Sequence, residues 1–296
     1  MNLGRRFLTI PAVLIAASLV AAACAESGGS DVIASIDDQT LTQSELDGIL
    51  EFGDATVPQL IADEVSTWLQ RLAMSMEAER LGLEPTDEDR DSADFTAGAL
   101  IARQPNLDRD TLIEEILISI VLGRWADEEA TTRDPLDPPD LLCSSHILFE
   151  AEAEALVGLD RYIDGEDFAE LAMELSVGPT GPVGGSLGCQ LTGTFVPEFE
   201  AAAYKGETGE VVGPVETQFG WHLIEIQSVG PATAEIHPSA DPRVIEQAAS
   251  LVSKALVESA ILDFQEDART RYADSVTVAE SIGTIDLSTY EITAAD

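Results

Sequence analysis

The sequence predicts an α+β protein, and three observations carry that reading. Long stretches toward both ends place apolar residues at three- and four-residue steps, the spacing of amphipathic helices. Between about Leu141 and Gly230 the character changes: a His146-Ile147-Leu148-Phe149 strand, a glycine run Gly184-Gly185-Ser186-Leu187-Gly188 and a Phe219-Gly220-Trp221-His222 segment follow in turn. Two proline-bearing stretches, Thr131 to Asp140 and Pro231 to Arg243, separate these regions and read as linkers. The expected arrangement is a mainly helical domain built from both ends of the chain, with a second module inserted in it.

Taken in order, the chain begins with an address. Arg5 and Arg6 form a short positive region, and Phe7 to Val20 is uncharged and mostly apolar, shorter than the ~20 residues of a membrane span. Residues 1–23 are thus expected to be a signal peptide. Ala21-Ala22-Ala23-Cys24 resembles a bacterial lipobox, which implies cleavage before Cys24 and a lipid on its thiol. The alternative is an ordinary secretory signal cut near Ala23. Residues 24–31 follow as a lipidated cysteine and flexible tether, with Gly28-Gly29-Ser30 in it.

Residues 32–134 make the N-terminal helical segment. Val32 to Ile36 is a short apolar run closed by a turn at Asp37-Asp38-Gln39. Thr42-Gln43-Ser44-Glu45 fits a capping box opening a helix to about Phe52. Leu60 to Leu81 carries a stripe of Leu60, Ile61, Val65, Trp68, Leu69, Leu72 and Met76, with Gly82 as its stop. Helices are expected again from about Thr86 to Arg103 and from Leu107 to about Glu129. After the module and the second linker, Val244 to about Tyr272 is a long helix whose apolar side cannot bury itself and must dock. Residues 244–286, with a short strand at Ser275 to Val278, are therefore expected to pack on the N-terminal segment. Residues 287–296 read as a loose tail.

The inserted module carries the chemistry. Ser145-His146-Ile147-Leu148-Phe149, Gly165-Glu166-Asp167-Phe168-Ala169, the Gly184–Gly188 run, Gly193-Thr194-Phe195-Val196-Pro197-Glu198-Phe199-Glu200 and Gly213-Pro214-Val215-Glu216-Thr217-Gln218-Phe219-Gly220-Trp221-His222 occur in register. Together they resemble the parvulin family of peptidyl-prolyl cis/trans isomerases over residues 141–230. The resemblance implies a four-stranded antiparallel sheet with flanking helices and noncovalent rotation of X-Pro bonds without a cofactor. It implies a proline pocket of Leu187, Phe195, Phe199 and Phe219, and a polar group of His146, His222 and Thr217. It also exposes a departure. Gly178 stands where the family usually has cysteine or aspartate, which puts the rate of turnover in question. The acidic run after Phe149 lacks the basic cluster of phosphate-reading members.

The two remaining cysteines, Cys143 and Cys189, flank the sheet in the fold so implied, and a disulfide between them is expected. The alternative is a pair of buried thiols. No cysteine and histidine spacing suits zinc, so no metal is expected, and His237, before Pro238, is assigned to structure. The net charge of −40, or −42 once Arg5 and Arg6 leave with the signal, repels phosphate backbones and makes nucleic acid a poor partner. The segments on either side of the module resemble those of exported parvulin foldases. That implies an extracytoplasmic, membrane-anchored isomerase acting on unfolded or newly exported polypeptides. The alternatives are a secreted form, a holdase with little turnover, and an envelope lipoprotein that has reused the fold.

Overall fold

The computed structural model describes residues 31–50, 57–104 and 109–295. The signal peptide, Cys24, nearly all of the tether and the end of the first expected helix lie outside the described residues. The chain divides into two compact units: residues to Thr132 with Val257–Asp296, and Arg133–Leu256.

In the first unit, β1 (Val32–Ile36) and β2 (Gln39–Thr42) form a hairpin, and β7 (Val276–Val278) pairs antiparallel with β1 from the far end of the sequence. The capping box opens α1 (Gln43–Ile49): the Thr42 hydroxyl accepts from the Glu45 backbone, and the Glu45 carboxylate accepts from the Thr42 N–H at 2.8 Å. Three helices follow, α2 (Pro58–Arg80), α3 (Asp87–Ile101) and α4 (Arg109–Ala130). Most of the stripe read from the sequence is buried or half-buried: Val65, Leu69 and Leu72 of α2 meet Ile33, Ile36, Leu41 and Leu46, Ile61, Trp68 and Met76 pack at the edge, and Leu60 is exposed. The same core holds Ala268 and Tyr272, from the second half of α8 (Pro242–Tyr272). Glu77 of α2, almost fully buried, accepts from Arg80 and from Arg271. The Arg80 bond foremost, with the charge of Arg271, holds its carboxyl below the usual range against the opposing effect of burial.

The end of the chain departs from expectation. The tail is not loose: β8 (Gly283–Asp286) and β9 (Glu291–Ala294) form a hairpin, and Tyr290 between them is fully buried. The Tyr290 hydroxyl donates to the Arg269 carbonyl, and its own carbonyl accepts from Ser66 of α2. A buried aromatic side chain with its polar tip paired anchors a segment that composition alone leaves undefined.

The second unit contains a four-stranded antiparallel sheet in the order β4-β3-β6-β5, from β3 (Asp140–Phe149), β4 (Ser186–Leu191), β5 (Val211–Thr217) and β6 (Gly220–Pro231). Strand alternation splits its side chains between two faces. Ile147, Phe149 and Leu223 pack against α5 (Glu152–Ile163) and α6 (Phe168–Leu175) through Ala155, Phe168, Leu171 and Ala172. Leu142, Ile224 and Ile226 pack against α7 (Pro197–Ala203) through Phe199 and Ala203.

Two boundaries also move. The stretch 231–243 is not a bare linker. His237 is buried, its Nδ1 is 2.7 Å from the Ser228 hydroxyl, and its Nε2 is 3.0 Å from the Gly230 carbonyl oxygen. The long helix, expected to pack on the N-terminal segment, divides its contacts between the units. Val244, Ile245 and Ala248 pack on Leu141, Cys143 and Ala232 in the second, and Phe264 packs on Ala78, Ile118 and Leu122 in the first. Cys143 and Cys189, facing each other across β3 and β4, are joined as a disulfide.

Candidate active site

His146 lies on β3 and His222 on β6, in adjacent strands of the same sheet. Both rings are buried, at 8% and 4% exposure, and their Nδ1 atoms are 3.0 Å apart. Two cationic rings could not share that hydrogen bond. Burial lowers the affinity of His146 for a proton, and burial followed by the neighbouring charge of His146 pushes His222 down to about 4. Both imidazoles are therefore neutral at neutral pH, each with one N–H to give and one lone pair to fill.

The bond between the rings belongs to a longer chain. His222 Nε2 is 2.8 Å from the Thr217 hydroxyl, and His146 Nε2 is 2.9 Å from the hydroxyl of Thr180. Thr217 also accepts from the Phe219 N–H and lies within reach of the Gly220 carbonyl oxygen. Four side chains from three strands and one loop thus run in a line: Thr180, His146, His222, Thr217. Sequence reading placed three of these in the site and missed Thr180. The available signal was its position two residues after Gly178, in the loop where glycine replaces the family's usual polar residue.

Apolar rings border the pair. Phe199 is buried and meets His222 edge-on at 5.5 Å and His146 at 6.1 Å, and Phe195 packs against Phe199 at 4.8 Å. The loop carrying Phe195 is pinned by the Glu200 carboxylate, which accepts from the backbone N–H groups of Gly193 and Phe195. Leu187 and Val215 complete the cluster. Phe219 does not join it. Its side chain is 64% exposed at the β5–β6 turn, because a two-residue turn points its side chains away from the sheet.

Gly178 is buried, and a Cβ added there would lie 3.3 Å from the Leu148 Cβ and 3.4 Å from the Ser176 hydroxyl oxygen. The loop is packed for glycine. A side chain at this position presses on Leu148, which has to give by a few tenths of an ångström.

Residues 146–228 match the model of the Rotamase family, the PPIC-type PPIase domain. The four-stranded sheet and the facing histidines lie in this part of the chain, and residues 146–228 are a parvulin-type, PPIC-type PPIase domain. At the level of particular proteins, the chain is 32% identical over 225 residues to foldase protein PrsA of Halalkalibacterium halodurans, covering 68% of this chain and 65% of that one. It is 43% identical over 88 residues to foldase protein PrsA of Oceanobacillus iheyensis, 29% of each chain. The chain therefore spans less than two thirds of the length of these curated relatives. Among solved structures, NmPin, the parvulin of Nitrosopumilus maritimus, is 38% identical, with 30% of this chain and 97% of that chain covered and a TM-score of 0.29.

Proposed function

We propose that the protein is a peptidyl-prolyl cis/trans isomerase that assists the folding of exported polypeptides. The observation that carries this reading is the neutral histidine pair of His146 and His222, capped by Thr217 and set against Phe195 and Phe199. Rotating an X-Pro bond removes amide resonance across a barrier near 20 kcal/mol and needs neither a nucleophile nor a cofactor. It needs a surface that fits the twisted amide better than the planar one. Leu187, Phe195 and Phe199 offer an apolar seat for the proline ring. As the imide twists and charge redistributes over its oxygen and nitrogen, the paired imidazoles adjust their hydrogen bonds without passing a proton to the substrate.

Clients in this reading are unfolded or newly exported chains containing X-Pro bonds. The protein is held outside the cytoplasm by a lipid on Cys24. Among the described residues no helix is long and apolar enough to cross a membrane. Mass spectrometry of the protein from its native host should find diacylglycerol on Cys24 at the mature N-terminus. An unmodified Cys24 would leave secretion alone. Among the described residues no cluster of His, Cys, Asp and Glu is arranged to hold a metal, and the reaction as written calls for none.

The decisive experiment is a protease-coupled isomerisation assay on the mature chain with X-Pro peptides. Wild type should accelerate the cis to trans step. Phe199→Ala should lose about a hundredfold or more in kcat/KM, since grip on the ring couples binding to twisting. A holdase reading is favoured by one observation, the absence of any side chain at Gly178. It would be the conclusion if wild type bound unfolded clients yet left every X-Pro peptide at its uncatalysed rate.

A further inference from the structure

The hydrogen-bond chain through the histidines has two ends, and its direction follows from whether the Thr217 hydroxyl donates to the Gly220 carbonyl at 3.4 Å or to His222 Nε2 at 2.8 Å. In the first arrangement the Thr217 oxygen accepts from the Phe219 N–H at 3.1 Å and its hydroxyl donates to the Gly220 carbonyl, leaving a lone pair for His222 Nε2–H. A neutral His222 that donates from Nε2 must accept at Nδ1, so the shared proton sits on His146 Nδ1. The remaining His146 lone pair, on Nε2, then requires a donor. The Thr180 hydroxyl at 2.9 Å is that donor.

Thr180 is held in place by the loop it belongs to. Its carbonyl oxygen accepts from both the Val183 and the Gly185 N–H, while Gly181 donates to Gly178 and Gly184 to Gly181. The loop is then registered on its target: the His146 N–H donates to the Gly185 carbonyl at 2.9 Å. Gly185 sits at φ +73 with the position of a Cβ only 2.2 Å from the His146 carbonyl oxygen, so only glycine permits that approach. The backbone of Thr180 thus serves the loop and its side chain serves the imidazole. The two roles are separable by mutation.

We propose that Thr180 is the positioning residue of the histidine pair. Its hydroxyl donates to His146 Nε2, fixing the orientation and tautomer of His146 and, through the shared proton, those of His222. Gly178, on the same loop, has no side chain with which to do this. The kinetic consequence rests on the isomerase reading; the tautomer assignment does not.

The test uses the full mature chain with 15N-labelled histidine and the variants Thr180→Val, which keeps the shape and removes the hydroxyl, and Thr180→Ser, which restores it. In wild type, long-range 15N–1H spectra should show His146 protonated on Nδ1 and His222 on Nε2. In Thr180→Val the His146 nitrogens should move toward the tautomer-averaged position, and in Thr180→Ser they should return. The kcat for an X-Pro peptide should fall about tenfold in Thr180→Val with KM nearly unchanged, the loss expected for one donor to a buried acceptor. Recovery in Thr180→Ser and an unchanged thermal midpoint in both variants would separate positioning from folding. Identical ring resonances in wild type and Thr180→Val, or His146 protonated on Nε2 in wild type, would overturn the proposal. Wild type that is inactive on peptides but shows the spectral change would remove the isomerase reading and leave Thr180 in its assigned place.

Discussion

The two units of this protein solve the burial of polar groups in opposite ways. In the first, the core is aliphatic, and its buried charge, Glu77, is neutralised by two arginines that remain nearly half exposed. In the second, two buried imidazoles face each other without an ion pair, and hydroxyls complete their hydrogen bonding. Glu77 is held ionised, whereas the histidines are held neutral, which costs proton affinity. A buried polar group without a counter-charge is expensive, so its presence marks chemistry rather than stability. The first unit shows what holds a fold together; the second shows where the fold gives up stability for a site.

The contrast can be tested unit by unit, beginning with the largest effect. Tyr290→Ala should destabilise the first unit by up to about 5 kcal/mol, because it removes a fully buried ring and the bond to the Arg269 carbonyl. Denaturant unfolding followed by hydrogen exchange should localise the loss to residues up to Thr132 and beyond Val257, leaving protection of β3 and β6 intact. Loss of protection across both units together would break the comparison. Reduction of Cys143–Cys189 should destabilise the second unit by about 4 kcal/mol, the chain-entropy value for a sequence separation of 46. The same experiment should then show loss confined to the sheet, with α2 unaffected.

Third is the pH response of the histidine pair. His222 is depressed from 6.5 to about 4, so between those values the unfolded chain binds more protons than the folded one. The associated stability, on the order of 3 kcal/mol, is fully present above pH 6.5 and is lost as pH falls toward 4. His222→Gln should flatten that part of the stability profile, as measured by urea midpoints across pH 4 to 8. An unchanged profile would place the titration elsewhere. The smallest effect belongs to the first unit: Thr42→Ala should cost about 1 kcal/mol by breaking the α1 capping box, with isomerase kinetics unaltered.

Legibility followed the same division. The capping box, the α2 stripe and Gly82 at its end came through because they depend on residues three or four apart in one element. His146, His222, Thr217, Phe195 and Phe199 were nameable because a motif carries their identity, and the structure gathers all five. Phe219, expected at the mouth of the pocket, is exposed at the tip of a two-residue turn and outside the buried cluster, a placement the sequence does not record. The tail was read as loose because its anchor, Tyr290, is a single aromatic in a polar run whose partners Arg269 and Ser66 lie 21 and 224 residues away.

Residue type and local spacing determined the helices of the first unit and the α+β class, and the family resemblance of the inserted module implied most of the site's members. Tertiary structure alone decided three things. It divided α8 between the two units, closed the tail into a hairpin under Tyr290, and brought the Thr180 hydroxyl to His146 across 34 residues of chain. The physical reason is range. Helix periodicity and capping are settled within one or two turns, whereas the partner of a buried polar atom depends on which distant element packs over it, and no local pattern encodes that.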